Sequence, residues 1–256
     1  MELTFYKYQG TGNDFIILDN RKGVFDINNT KLIAALCHRR FGIGADGFML
    51  LENEPGYDFK MVYFNSDGNQ SSMCGNGGRC LVQFAHDIGV IGDHTTFLAI
   101  DGPHVAHLKD GLVYLKMIDV EQIENNQDHF FLNTGSPHYV KAVEGIENYK
   151  VFDEGRKIRY NERFKEKGTN VNFIEKKDDT LYVRTYERGV EDETYSCGTG
   201  VTAAAIAASF SGMTSPVKIH TLGGELSISF KKMPQGYTDV YLIGPALKVF
   251  TGNVKV

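Results

Sequence analysis

Apolar and polar positions alternate along most of this chain, and the pattern predicts many short strands interrupted by a few helices. Residues 5–8 and 15–19 read as strands on either side of the turn Gln9-Gly10-Thr11-Gly12-Asn13. Residues 30–41 predict a helix, with Thr30 as N-cap, Leu32, Ile33, Ala35, Leu36 and Phe41 on one side, and Gly42-Ile43-Gly44 as its end. Strands follow at 48–52 and 59–64, an apolar helical run at 80–88, then strands at 95–100, 105–108 and 112–117. Strands at 130–132 and 139–143, a short helix at 147–155, and strands at 170–175 and 181–186 come next. An Ala-rich run, 201–210, is apolar almost all round and predicts a helix buried against sheet. Strands at 217–221, 226–230 and 239–243 complete the pattern.

The order of elements repeats. Met73-Cys74-Gly75-Asn76-Gly77-Gly78 and Ser196-Cys197-Gly198-Thr199-Gly200-Val201 each set a cysteine before a glycine-flanked turn and an apolar run. Cys197 follows Cys74 by 123 positions (197 − 74), and Thr11-Gly12 and Thr134-Gly135 are separated by the same interval. Tyr63 and Tyr186, and the strands at 49–52 and 172–175, match at that offset too. Several ordered matches at one offset indicate an internal duplication. The expectation is two domains, 1–122 and 123–244, with the polar stretch Asn125-Asn126-Gln127-Asp128 near the junction and residues 245–256 crossing back to complete the first.

Composition narrows the class. A 256-residue chain with 42% hydrophobic residues supports ordinary cores, and a net charge of −5 without long runs gives no nucleic-acid footprint or polybasic membrane patch. No stretch approaches the ~20 apolar residues of a membrane span, and residues 1–5 lack the blocks of a secretory signal, so a cytoplasmic protein is expected. The four cysteines, Cys37, Cys74, Cys80 and Cys197, are then expected as thiols. The spacing of Cys74 and Cys80 is wrong for a zinc knuckle and no paired histidines follow, so no metal is expected.

A thiol at a helix start faces unpaired N–H groups and the positive end of the helix dipole, which favour a thiolate. Two such thiols in matching halves suggest an acid and a base facing one substrate. Removing the α-proton of an amino acid needs either an electron sink such as pyridoxal phosphate or strong hydrogen bonding of the carboxylate. No lysine context here singles out a Schiff base. Two helix N-termini holding a carboxylate are the cofactor-free solution, and proton removal on one face with return on the other inverts the centre. Cys37 and Cys80, in apolar helical settings, read as packing residues.

Gly10-Thr11-Gly12-Asn13-Asp14-Phe15, Asn65-Ser66-Asp67-Gly68 leading into Met73 to Cys80, and Tyr186-Glu187-Arg188-Gly189 followed by Cys197-Gly198-Thr199-Gly200 resemble diaminopimelate epimerase. The resemblance runs through essentially the whole chain. It implies an α+β fold of two pseudo-symmetric domains, each a mixed, mostly antiparallel sheet wrapped around a central helix, with the site in the cleft between them. It also implies an isomerase that interconverts L,L- and meso-2,6-diaminopimelate without a cofactor, in lysine and peptidoglycan precursor synthesis, and it is compatible with a homodimer. Carried over to this chain, Cys74 and Cys197 are the two bases. Gly75, Asn76, Gly198 and Thr199 hold the reacting carboxylate, while Asn13, Asn65, Asn172, Glu187 and Arg188 bind the other polar groups, with Arg188 suited to the distal carboxylate. His138 and Glu187 assist the thiol/thiolate balance.

Three departures from the family pattern bear on substrate contacts. Ser136 replaces an asparagine, Gly47 stands where glutamine is common, and the segment 190–196 is one residue longer. The competing readings are a proline or hydroxyproline racemase of the same fold, a thiol redox protein closing a Cys74–Cys197 disulfide, and a non-catalytic amino-acid-binding protein.

Overall fold

The computed structural model describes residues 2–256. Along the chain run β1 (Glu2–Gly10), β2 (Asn13–Asp19), α1 (Thr30–Cys37), β3 (Gly47–Glu52), β4 (Phe59–Asn65), α2 (Gly75–Asp87), β5 (His94–Ala99), β6 (Gly102–Lys109) and β7 (Leu112–Lys116). Next come β8 (Ile123–Asn125), β9 (Phe130–Asn133), β10 (Pro137–Ala142), a 3-10 turn (Ile146–Asn148), α3 (Val151–Arg159), β11 (Asn170–Lys177), β12 (Thr180–Glu187), β13 (Asp192–Thr194) and α4 (Gly198–Ser209). β14 (Val217–Thr221), β15 (Gly224–Met233), β16 (Gly236–Gly244) and β17 (Leu247–Lys255) finish the order. Two compact units result: Met1–Leu115 with Pro245–Val256, and Lys116–Gly244. No helix among the described residues is long and apolar enough to cross a membrane.

In the first unit β2 lies parallel to β3, and β3 antiparallel to β4. Alternation along these strands builds two faces. Ile16, Leu18, Phe48, Leu50, Val62 and Phe64 pack with Ile33 and Leu36 of α1. Phe15 and Met49, which point the other way, meet α2 at Gly77, where an added Cβ would lie 3.2 Å from the Met49 sulfur. Burial on both faces explains why β2 and β3 are apolar at consecutive positions rather than alternating. β17 pairs antiparallel with β1.

The second unit follows the same plan. β10 lies parallel to β11, which is antiparallel to β12, and the pairing Phe15↔Gly47 in the first unit corresponds to His138↔Asn170 in the second. Tyr139, Val171, Phe173 and Tyr186 pack with Val151 of α3. The opposite face receives α4, whose residues Gly200 to Ala208 are all buried. Small side chains let this helix lie close to β9–β12 and β14–β16.

Local differences from the sequence expectations have identifiable causes. The first helix ends at Cys37, and Asn29, not Thr30, caps it by accepting from the Leu32 N–H. Ile43 and Gly44 both donate to the Leu36 carbonyl, so the chain folds back against the helix end. Gly42 permits this, since an added Cβ would lie 2.1 Å from the Ala35 oxygen. Phe41, expected on the apolar side, is 88% exposed. The helix expected at 147–155 divides into the 3-10 turn and α3, because Tyr149 is extended. α3 then continues through Gly155, where a Cβ would lie 2.4 Å from that of Tyr186. That glycine is a packing position, not a stop signal. β13 lies within the longer 190–196 segment and pairs with β12.

Candidate active site

In the first unit Cys74 is the N-cap residue of α2, with an extended backbone (φ −97°, ψ 127°) and no side-chain cap bond. Its carbonyl accepts from the Gly78 N–H at 2.7 Å, so the helix begins immediately after the sulfur-bearing residue. Gly75 and Asn76 are buried in that first turn. The Cys74 thiol donates to Asn13 Oδ1 at 3.6 Å, and Asn13 Nδ2 donates to Asp46 Oδ2 at 2.7 Å. Asp46 also accepts from Arg39 at 2.6 Å, and Arg39 and Lys7 each pair with Asp14 at 2.7 Å. Those two cations hold the Asp14 carboxyl down to about 2, against the desolvation that raises it. The network orients the Asn13 amide through its neighbours. Asn65 ends β4 and is exposed.

A Thr-Gly turn between two strands contacts each of the helices α2 and α4. Thr11 and Gly12 have φ of 50° and 81°, and Gly135 has φ 109°. Thr11 Oγ1 accepts from Arg79 Nη2 at 3.2 Å, whereas Thr134 Oγ1 donates to the Thr199 carbonyl at 2.7 Å. Each threonine thereby ties its turn to the helix that follows the cysteine.

In the second unit Cys197 caps α4 (φ −121°, ψ 114°), with its sulfur 3.5 Å from Thr199 Oγ1. Gly200 brings the sheet close: an added Cβ would lie 2.5 Å from Asn172 Oδ1 and 3.3 Å from the Cys197 sulfur. Asn172 Nδ2 donates to His138 Nδ1 at 3.0 Å and to the Tyr139 carbonyl at 3.1 Å, while its Oδ1 accepts from Thr185 at 3.0 Å. The amide is thus occupied in holding His138. His138 is completely buried; desolvation, with the Arg188 charge adding to it, pushes its pKa down to about 3 against the opposing Asn172 bond. The imidazole is neutral near pH 7.

Glu187 and Arg188 leave the end of β12. Glu187 accepts from Thr194 Oγ1 at 2.9 Å, and Arg188 Nη1 donates to the Lys167 carbonyl at 3.0 Å. The Arg188 backbone N–H is held by Asn170 Oδ1 at 2.9 Å, and the Asn170 side chain also reaches within 3.5 Å of His138. Asn170 was not among the residues the sequence suggested, though it stands two positions before Asn172 and therefore on the same strand face. The structure thus groups Cys74, Gly75, Asn76 and Asn13 in one unit. In the other it groups Cys197, Gly198, Thr199, His138, Asn172 and Arg188. Gly47, one of the family departures, has the Tyr63 ring in the space a side chain would use, 2.5 Å from an added Cβ. None of the four cysteines is in a disulfide, and burial pushes the thiols of Cys37 and Cys80 up to about 12.

Comparison with known proteins identifies the family to which this chain is similar. The family model for diaminopimelate epimerase matches residues 5–115 and 130–249. A diaminopimelate epimerase from Flavobacterium psychrophilum is 52% identical, covering 98% of this chain and 100% of its own length. One from Chlorobaculum tepidum is 42% identical, with 96% and 98% covered. Among solved structures, a phenazine biosynthesis protein of the PhzF family from Bacillus anthracis superposes with a TM-score of 0.77 at 12% identity, covering all of both chains. A hydroxyproline epimerase from Agrobacterium vitis gives 0.69 at 13% identity, with 99% of this chain and 92% of that one covered. At such identities the structures speak for the fold. Sequence relatives and cysteine-capped helices together define the class, an isomerase that epimerises an amino acid. The chain belongs to the diaminopimelate epimerase family.

Proposed function

We propose that this protein interconverts L,L- and meso-2,6-diaminopimelate, with Cys74 and Cys197 as its two bases. The observation that carries the reading is the recurrence, in two units of like topology, of a cysteine at the N-cap of a helix whose first turn is glycine-rich. One thiolate removes the α-proton and the other thiol returns a proton to the opposite face, so the centre inverts. N–H groups at Gly75–Asn76 and Gly198–Thr199 hold the α-carboxylate, where the negative charge of the carbanion develops. Arg188, steadied by the Lys167 carbonyl and by Asn170, takes the distal carboxylate, and Asn13 and Asn65 take the remaining polar groups. Asn172 acts by orienting His138, and the neutral imidazole and Glu187 tune the thiols of the second unit.

The same reading treats the halves as duplicated domains, 1–122 completed by 245–256 and 123–244. Its support is the equal register of the β2–β3 and β10–β11 pairs and the common 123-residue interval between the two cysteines and between the starts of β3 and β11. The setting is the cytoplasm, where thiols stay reduced. In lysine and peptidoglycan precursor synthesis the product would be drawn off by later steps.

Proton NMR in D2O tests the activity. Reduced protein with L,L-diaminopimelate should lose the α-proton signal as the meso isomer appears. Cys74→Ser and Cys197→Ser should each slow the conversion at least a thousandfold, because a serine hydroxyl is too weakly acidic to exchange roles with a thiol. Exchange of proline or hydroxyproline in place of diaminopimelate would overturn the substrate assignment.

A further inference from the structure

Matching the two units position by position reveals an asymmetry under the cysteines. On the sheet face that meets the helix, the second unit places His138, Asn170 and Asn172, and the 123-residue interval pairs these with Phe15, Gly47 and Met49 in the first. The first unit's polar group lies on the helix instead. Arg79 corresponds to Thr202, and both side chains turn back to the carbonyl of the first helical glycine: Arg79 Nη1 to Gly75 at 3.4 Å, Thr202 Oγ1 to Gly198 at 2.9 Å. One helix start therefore has a guanidinium packed beneath it, the other a neutral hydroxyl.

Arg79 is fully buried. Its side chain has two weak bonds, to the Gly75 carbonyl and Thr11 Oγ1, its Nε has no hydrogen-bond partner, and no carboxylate pairs with it among the described residues. Gly10 leaves the room it needs, since an added Cβ would lie 3.3 Å from Nη2. A buried cation without a counter-ion is costly and is retained where a negative charge completes it. The titratable groups that interact with its charge are the thiols of Cys80 and Cys74. Cys80 is itself fully buried and stays protonated. Cys74, half-buried at the helix start, remains.

Building on the two-base reading, we propose that Arg79 is a positioning residue that places the resting thiolate on Cys74 and leaves Cys197 as the resting thiol. One contact opposes this: Asn13 Oδ1, fixed by Asp46, accepts from the Cys74 thiol. A thiol is a weak donor and 3.6 Å is long, whereas Arg79 supplies a full charge in a dry interior. The acidic groups Asp46 and Asp14 behind Asn13 are offset by Arg39 and Lys7. On the second unit's side, His138 is neutral and Glu187 and Arg188 carry opposite charges. In the direction served by the resting state, a Cys74 sulfur lone pair takes the α-proton and the C–H electron pair stays on the α-carbon. That pair then takes the proton of Cys197. The protein is left with a Cys74 thiol and a Cys197 thiolate, and it returns to rest by losing the Cys74 proton to solvent while Cys197 takes one up.

Iodoacetamide labelling without substrate, followed by peptide mass spectrometry from pH 5 to 10, reads each cysteine separately. The midpoint of the pH dependence, not the absolute rate, is the measure, because Cys197 is less accessible. Cys74 should have a midpoint at least one pH unit below that of Cys197. Arg79→Met should raise the Cys74 midpoint by at least one unit and leave that of Cys197 in place, and Arg79→Lys should restore most of the difference. A Cys74 midpoint at or above that of Cys197 in the unsubstituted protein overturns the proposal, whether or not the variants fold. So does a folded Arg79→Met protein with an unmoved Cys74. Labelling needs no turnover, so its failure is distinct from failure of the D2O exchange, which bears on the epimerase reading itself.

Discussion

At the scale of single residues, burial sets the protonation states that the chemistry uses. His138 has its pKa lowered to about 3 chiefly because no water reaches it. In the unfolded chain it titrates near 6.5, so between those values the unfolded state binds a proton that the native state refuses. Stability therefore rises with pH across that window and is lost on acidification, by up to about 1.4 kcal/mol per pH unit from this residue. Urea melts at pH 4.5, 5.5 and 6.5 should show a steeper loss for the natural protein than for His138→Gln. Equal slopes would mean that the imidazole is solvated or charged in the native state. The same value implies that no histidine of the site titrates in the activity profile between pH 5 and 8. Asn172 teaches a related lesson. Its type and position suggest a substrate ligand, yet in the structure both its N–H donors go to His138 and Tyr139, and its oxygen accepts from Thr185.

At the scale of elements, the two helix starts depend on glycines chosen for what lies opposite them. Gly200 faces Asn172 Oδ1, where an alanine methyl would sit at 2.5 Å. Alanine is favoured over glycine in a helix by up to about 1 kcal/mol, and overpacking costs about 1–3 kcal/mol. The net stability cost is up to about 2 kcal/mol, and the displaced Asn172 releases His138 and crowds the sulfur. Gly200→Ala should thus lower kcat at least tenfold while shifting Tm by only a few degrees; steady-state kinetics beside a thermal melt separates the two. Near-natural kcat would show that the Asn172–His138 contact is not needed. Element boundaries also show what a sequence hides. Gly42-Ile43-Gly44 was legible as a helix end, but the earlier stop at Cys37 follows from two amides converging on one carbonyl, Leu36. Gly155, the last residue of the helix expected at 147–155, lies inside α3, where it admits Tyr186.

At the scale of the whole molecule, the last strand is the part most removed in sequence from what it supports. β17 pairs with β1 over most of its length, and Phe250 meets Phe5 edge-on at 5.8 Å. Gly252 lies under the Phe5 ring, with room for no side chain: a Cβ would be 2.7 Å from the ring carbon. Gly252→Val should cost about 1–3 kcal/mol by overpacking and lower the midpoint of a denaturant melt accordingly. An unchanged midpoint would mean that the β1–β17 pair can shift without loss.

The sequence by itself determined most of the strands, the paired cysteines and their helical setting, because these rest on local periodicity, turn chemistry and a repeat visible at one interval, while the short β8 and β13 escaped it. The motif resemblance to diaminopimelate epimerase indicated the family and marked Asn13, His138 and Arg188 as candidates. Only the tertiary structure decided which polar groups face one another. Asn170 behind Arg188, Asn172 committed to His138, and Arg79 buried without a carboxylate all depend on strand register and helix docking, which join residues far apart in the chain. Burial then converts those contacts into charge states, and burial is a property of the assembled fold rather than of any segment.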